Sequence, residues 1–328
     1  MRSCKGNVMF NCVIVLGPTA CGKTALAVKI AEALNGEIIS ADSRQVYRHL
    51  DIGSGKDLCE FTLKQEDGTE KHIPYHLIDV VSLPEEYNVY TYQRDAYIAF
   101  ADIISRNKIP VIVGGTGMYL DALVRGYDLV QVPTNEELRE KLSGYSMEEL
   151  VAYLEKMKGS EGLHNSTDLT ERHRLLRAIE IAEFNISGKG EIVKANMPER
   201  PQINPLIIGT TFPRDQLRKN ITRRLRSRLK EGMIQEVQQI HDSGIEWSRL
   251  ERLGLEYRFV SEFLQGKIPT QDELFSKLNI AIGQFAKRQE TWFRGMERKG
   301  IKINWIPAGT LDERFASSMA LIASSDCE

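Results

Sequence analysis

The sequence predicts an α/β protein: a parallel sheet with crossover helices, interrupted by a helical insertion and followed by a helical C-terminal segment. Three observations lead there. Short β-branched runs bounded by turn residues alternate with helical patterns, the signature of a parallel sheet. That alternation stops after about Tyr127, gives way to a polar helical pattern from Pro133 to about Pro201, and resumes at Leu206–Thr211. A glycine-rich segment ending in Gly22, Lys23 and Thr24 stands between the first strand and the first helix.

Taken in order, the expected strands are Cys12–Leu16, Glu37–Ser40, His76–Val80, Pro110–Val113 and Leu206–Thr211, with Ile301–Trp305 as an edge strand. Lys23–Leu34 and Tyr92–Arg106 read as the crossover helices. Arg2 and Lys5 before the apolar run Val8–Leu16 resemble a signal peptide. The run flows straight into Gly17–Thr24, which cleavage would strand, so it reads as a buried first strand behind a short tail. Domains are expected at residues 1–132 with 201–328, the core, and at 133–200, the insertion punctuated by Gly159, Gly162, Gly188 and Gly190. After Thr211, Leu217, Ile221, Leu225 and Leu229 form one apolar stripe. Arg218, Lys219, Arg223, Arg226, Arg228 and Lys230 surround it, either as a solvated face or as a wall facing phosphates. A last long helix is expected near Leu274–Arg298.

Composition bounds the function classes. With 328 residues, 42% hydrophobic and 27% charged, the chain is an ordinary globular protein with room for two domains. A net charge of −2 provides no global field for nucleic acid, so any basic surface is local. Acid collects at Glu66, Asp67, Glu70, Glu85 and Glu86, while lysine and arginine gather in the C-terminal half. Cys4, Cys12, Cys21, Cys59 and Cys327 form no metal-ligand spacing and no disulfide pattern, which suits the cytoplasm. No apolar stretch approaches the ~20 residues of a membrane helix.

Gly17, Pro18, Thr19, Ala20, Cys21, Gly22, Lys23 and Thr24 fit the Gly-x4-Gly-Lys-Ser/Thr loop of P-loop proteins, between an apolar strand and a helix. Such a loop turns its N–H groups toward one phosphate group, Lys23 adds a full charge, and the Thr24 hydroxyl suits Mg²⁺. The fold expected is therefore a P-loop NTPase-like core. Cys21 reads as a small filler. Gly53 to Lys56 is a shorter Gly-Ser-Gly-Lys piece that reads as a plain turn, and Asp79 is the nearest candidate for a metal aspartate after a strand. No Asn-Lys-x-Asp guanine reader follows, which argues against a GTPase.

The second strand delivers Asp42, Ser43, Arg44, Gln45, Val46 and Tyr47; a later one ends in Val113 to Tyr119 with Thr116 after two glycines; Ala286 to Arg294 reads Ala-Lys-Arg-Gln-Glu-Thr-Trp-Phe-Arg. Together with the P-loop, in this order from Val13 to Trp305, these motifs resemble the bacterial tRNA dimethylallyltransferases. The resemblance implies transfer of a dimethylallyl group from dimethylallyl diphosphate to N6 of an adenosine next to the tRNA anticodon. It makes Asp42 the general base, and Thr116 a donor to the diphosphate held by the P-loop and Mg²⁺. It implies tRNA contacts at Asp42, Ser43, Arg44 and Gln45; at Arg139, His173, Arg174, Leu175, Leu176 and Arg177; and at Lys287, Arg288, Gln289, Thr291 and Arg294. Trp292 and Phe293 would pack in the core. A cytoplasmic monomer binding the anticodon stem-loop follows from the same likeness.

The residue chemistry is consistent with those roles. Adenine N6 is a weak nucleophile, and a carboxylate in hydrogen-bond reach takes its proton as the new N–C bond forms. Read without the family, Asp42 is a turn or cap aspartate. On a helix, His173, Arg174 and Arg177 share one face, with Leu175, Leu176, Ile179 and Ala182 opposite. The chain departs from the family pattern at Thr170 and Glu171 (commonly Asn-Asp), at Glu256 before Tyr257 (commonly Gly), and at Gly53–Lys56 (commonly Gly-Thr-Ala-Lys). Competing readings are an adenylate isopentenyltransferase acting on a free nucleotide, a small-molecule kinase using ATP, and a non-catalytic RNA-binding P-loop protein. The insertion and the Lys287–Arg294 segment favour a polymer acceptor over the first. No arginine-rich lid supports the second, and the third has no need of Asp42 and Thr116 beside an intact loop.

Overall fold

The computed structural model describes residues 10–65, 67–158, 171–188 and 198–325. The tail with Arg2, Cys4, Lys5 and Val8, together with Glu66, Gly159, Gly162, Thr170, Gly190 and Cys327, lies outside the described residues. The chain divides into two compact units, Met1–Gly126 with Arg200–Glu328 and Tyr127–Glu199.

The first unit is built on a six-stranded parallel sheet. Its strands are β1 (Cys12–Leu16), β2 (Glu37–Ala41), β5 (Tyr75–His76), β6 (Pro110–Gly114), β7 (Pro205–Gly209) and β8 (Asn304–Trp305), in the order β5-β2-β6-β1-β7-β8. A short antiparallel pair, β3 (Thr62–Lys64) with β4 (Glu70–His72), stands apart. Every residue of β1 is buried, and side chains alternate between two cores because strand residues point to opposite faces. Cys12, Ile14 and Leu16 join Tyr92, Phe100, Leu120 and Phe293 on one side. Val13 and Val15 join Leu26, Ile30 and Ile322 on the other. Helices α1 (Lys23–Ala33), α2 (Val89–Ser105) and α3 (Gly117–Arg125) supply most of that cover.

The predicted strand His76–Val80 is a correction: only Tyr75–His76 pairs with β2. Leu77 and Asp79 take left-handed backbone, φ 62° and 57°, and the Val80 and Val81 N–H groups go to the Val46 carbonyl instead. Leu77 and Ile78 are buried all the same, so an apolar run here marks burial rather than strand.

In the second unit, α4 (Glu136–Lys141), α5 (Met147–Lys158) and α6 (Arg172–Ile186) enclose Leu138, Leu142, Leu150, Leu154, Leu175, Ile179 and Ala182. Back in the first unit, α7 (Arg214–Glu231), α8 (Met233–Asp242), α9 (Trp247–Leu250), α10 (Leu255–Leu264) and the long α11 (Gln271–Arg298) follow β7. Leu217, Ile221 and Leu225 of α7 are buried against Val237, Val260, Leu274 and Leu278. The chain closes with α12 (Leu311–Ser325), packed on α1 through Phe315 and Ile322. Among the described residues, no helix is long and apolar enough to cross a membrane.

Candidate active site

Gly17 to Thr24 link β1 to α1. Gly22 precedes α1 with φ 68°, a conformation that favours glycine, and no side chain caps the helix. By contrast Asn88, Asn135 and Thr270 cap α2, α4 and α11 through their side chains. The first N–H groups of α1 are thus left to meet an anion. Cys21 is fully buried, and burial pushes its thiol up while Lys23 and Arg314 act in the opposite direction. The Lys23 ammonium lies 3.5 Å from the Pro18 carbonyl oxygen.

The sheet order brings the other motifs alongside. β6 lies between β1 and β2, so the loop after β1, Thr116 after β6 and Asp42 after β2 open from neighbouring carboxyl ends. Open α/β sheets bind ligands at that edge. The Ser43 N–H donates to Thr116 Oγ1 at 3.1 Å, and the Thr116 hydroxyl donates to Ser43 Oγ at 3.4 Å. Asp42 Oδ1 accepts from the Arg44 N–H at 2.9 Å, which fixes one carboxylate oxygen and leaves the other. Around it, Tyr119 stacks on Tyr92 with centroids 4.0 Å apart.

Gln289 of α11 ties two of these loops together. Its carbonyl accepts from the Thr19 N–H at 2.9 Å, and its amide donates to the Gly115 carbonyl at 2.9 Å. A side chain at Gly115 would strike that amide. Gln289, expected among the tRNA contacts, is buried here and acts as a strut between the two loops. Lys287, Arg288, Thr291 and Arg294 do face solvent. Phe293 is core, whereas Trp292 is partly exposed and lies against Gly117. Gln45 accepts from Ser40 Oγ and donates to the Gly55 carbonyl, both at 3.1 Å.

The Gly53–Lys56 turn is more than a plain turn. Lys56 is buried and donates to Asp51 (2.7 Å), Asp79 (2.6 Å) and the Tyr47 carbonyl (2.9 Å). Asp79 therefore pairs with Lys56. Gly53 lies under the Tyr257 ring, where an added Cβ would come within 2.8 Å. Glu236 accepts from the N–H groups of Asp51, Ile52 and Gly53 and from the Tyr257 hydroxyl. Arg228, read from sequence as part of a basic surface, is buried and pairs with Asp57 at 2.8 Å. Burial pushes the Glu256 carboxyl up, Arg224 and Arg228 oppose that, and Asp42 adds to it. The departures at Gly53–Lys56 and Glu256 thus belong to one neighbourhood beside Asp42.

Within the insertion, Leu175, expected at the tRNA-contacting segment, is fully buried, and Leu176 packs partly against the same core. Glu180, 2% exposed, gathers Arg139 at 2.7 Å and Arg177 at 2.9 Å. Burial works against the Glu180 charge, but hydrogen bonds from Arg139 and Arg177 prevail and hold its carboxyl below the usual range. His173 and Arg174 stay outward, each near Glu171, at 3.5 and 3.4 Å.

Among the described residues, no group of three or more His, Cys, Asp or Glu could hold a metal. Magnesium does not require one, since it commonly takes one or two protein groups plus phosphate oxygens and water. The Thr24 hydroxyl, at the open start of α1, fits that pattern.

What converges at this sheet edge is the working end of a P-loop α/β enzyme. The IPP transferase family model matches residues 45–296, and the isopentenyl transferase model matches 10–66. A tRNA dimethylallyltransferase 2 of Treponema denticola is 52% identical over 298 residues, covering 90% of this chain and 95% of its own. One from Citrifermentans bemidjiense is 48% identical over 315 residues, covering 96% of both. The structure of the tRNA isopentenylpyrophosphate transferase of Bacillus halodurans superposes with a TM-score of 0.66 at 30% identity, covering 96% of each chain. The chain belongs to the IPP transferase family, the tRNA isopentenyltransferases, and is a prenyl-transferring enzyme.

Proposed function

We propose that the protein transfers the dimethylallyl group of dimethylallyl diphosphate to N6 of an adenosine next to the anticodon of tRNA, releasing diphosphate, in the cytoplasm. The observation that carries this reading is the position of the P-loop, Asp42 and Thr116 on neighbouring strand ends. The loop N–H groups and Lys23 bind the diphosphate and meet the charge that develops as the C–O bond breaks. Thr116 turns its weakly held hydroxyl to a phosphate oxygen. Thr24 would hold Mg²⁺, which supplies further countercharge to the diphosphate. Asp42, with one oxygen anchored on the Arg44 N–H, orients the adenine amine with the other and accepts its proton as N6 attacks. His173 and Arg174 on the insertion, and Lys287, Arg288 and Arg294 on α11, supply cations for the RNA backbone.

The test is direct. Unmodified tRNA, dimethylallyl diphosphate and Mg²⁺ are incubated with the enzyme, and nucleosides are analysed by mass spectrometry. N6-dimethylallyl adenosine is the expected product. Phosphoryl transfer from ATP to a small molecule without prenylated tRNA would sustain the kinase reading instead.

A further inference from the structure

Among the described residues of the first unit, three cations are buried: Lys56, Arg228 and Arg314. Burying a charge is costly unless a partner of opposite sign goes with it. Lys56 has Asp51 and Asp79, and Arg228 has Asp57. Arg314, on α12, has no carboxylate within ion-pair distance among the described residues. Its guanidinium donates through Nη1 to the Cys21 carbonyl at 2.8 Å and to Thr210 Oγ1 at 3.1 Å. It lies over the Phe212 ring, 5.1 Å from the centroid, and Nε makes no hydrogen bond. Its Nη2 is turned toward the loop, since a Cβ added at Gly22 would lie 3.2 Å from it. Burial works against this charge. The residue also lies beyond both segments matched by the family models, which end at 296.

We propose that Arg314 is a positioning residue of the donor site: it clamps the phosphate loop at Cys21 and keeps a positive charge behind it, for which the donor's diphosphate is the counter-ion. The inference rests on the reading of Gly17–Thr24 as the diphosphate cradle. Drawing the Cys21 carbonyl onto the guanidinium turns that peptide's oxygen inward, which sets the neighbouring N–H groups toward the ligand. In the free loop the Arg314 charge has no ion-pair partner among the described residues, so occupancy by an anion relieves it.

The probe is inorganic pyrophosphate with Mg²⁺, measured by titration calorimetry and by the shift it causes in the melting temperature. Arg314→Gln, which keeps a donor but drops the charge, is expected to weaken pyrophosphate about tenfold or more, the scale of a lost charge-assisted hydrogen bond. The ligand-induced melting shift should shrink with it, and KM for the donor should rise by a larger factor than kcat falls. Arg314→Lys should restore affinity to within about threefold, or roughly 0.65 kcal/mol. An arginine that merely supports the fold would lower both melting temperatures and leave the shift between them unchanged; that result, or wild-type affinity in Arg314→Gln, overturns the proposal. Should Arg314→Gln fail to fold, Arg314→Lys decides alone: near-wild-type affinity supports the inference, and a tenfold loss contradicts it. Lys23→Ala is the control. If it binds pyrophosphate like wild type, the cradle reading itself fails; if it loses binding and Arg314→Gln does not, only the role of Arg314 falls.

Discussion

Each unit of the molecule gathers cations around one buried glutamate, and the two hubs are put to different use. In the first unit Glu37 opens β2, 2% exposed, and binds Arg106, Lys108 and His76. Asp42 follows the other end of that five-residue strand, about 17 Å away at ~3.3 Å per residue. The charge that holds the fold and the charge assigned to chemistry are thus separated by the length of the sheet. In the insertion, Glu180 lies on the same helix as His173 and Arg174, and its partners Arg139 and Arg177 belong to the implied RNA-contacting set. There, on the proposed function, one helix would carry both duties. A rigid sheet can keep catalysis apart from stability; the described helices of the insertion, around a small leucine core, have less room to do so.

That contrast gives tests of graded size. Lys23→Ala should cut transfer by about 10²–10³ or more by removing a preorganised charge, while leaving the melting temperature near wild type. A mutant that turns over normally at saturating donor would dissolve the separation in the core. Glu37→Gln and Glu180→Gln should each cost about 1–3 kcal/mol of stability, between the values for exposed and buried pairs because the cations are partly solvated. Their functional consequences should diverge: Glu37→Gln keeps tRNA affinity, whereas Glu180→Gln weakens it by releasing Arg139 and Arg177 from their set positions. Equal effects of the two on tRNA affinity would break the comparison.

Acid should act through the same hubs. The Arg106 guanidinium, ahead of Lys108 and His76, holds the Glu37 carboxyl well below the usual carboxylate range. Its folded-state pKa is depressed, so its stabilisation is fully present above the unfolded value of about 4.3 and drains away as pH falls below it. Melting curves of wild type and Glu37→Gln should therefore begin to approach each other below about pH 4 and keep doing so as pH falls toward the depressed folded-state value. The smallest effect concerns Arg174. Its reversal to Glu should weaken tRNA binding about tenfold and flatten the slope of log affinity against log salt, with donor binding unchanged. An unaltered slope would make Arg174 solvated surface.

Much of this was legible before any coordinates. Strand, glycine loop and helix follow one another locally from Cys12 to Ala33, and the residues after β2 and β6 announce themselves by type and order. The 3.6-residue period already put Leu175 and Leu176 on the apolar face of α6, where they pack into the core of the insertion. Other features have no local signature. Arg314 meets Cys21 across 293 residues and Gln289 meets Thr19 across 270, distances at which no pattern in either segment refers to the other. Lys56 was visible as part of Gly-Ser-Gly-Lys, but its burial between Asp51 and Asp79 depends on the left-handed turn at Asp79 that made the predicted strand fail.

The central claim, that Asp42 at the sheet edge takes the proton from adenine N6, is tested most directly by Asp42→Asn in single turnover. Asparagine keeps the size and an acceptor for the Arg44 N–H, so the site should assemble and tRNA affinity should change only a few-fold. An amide does not take up the proton, and the rate of prenyl transfer should fall by about 10²–10⁴-fold, the usual worth of a general base. Transfer at the wild-type single-turnover rate would contradict the account, make Asp42 a structural turn residue, and leave the proton to another group or to water.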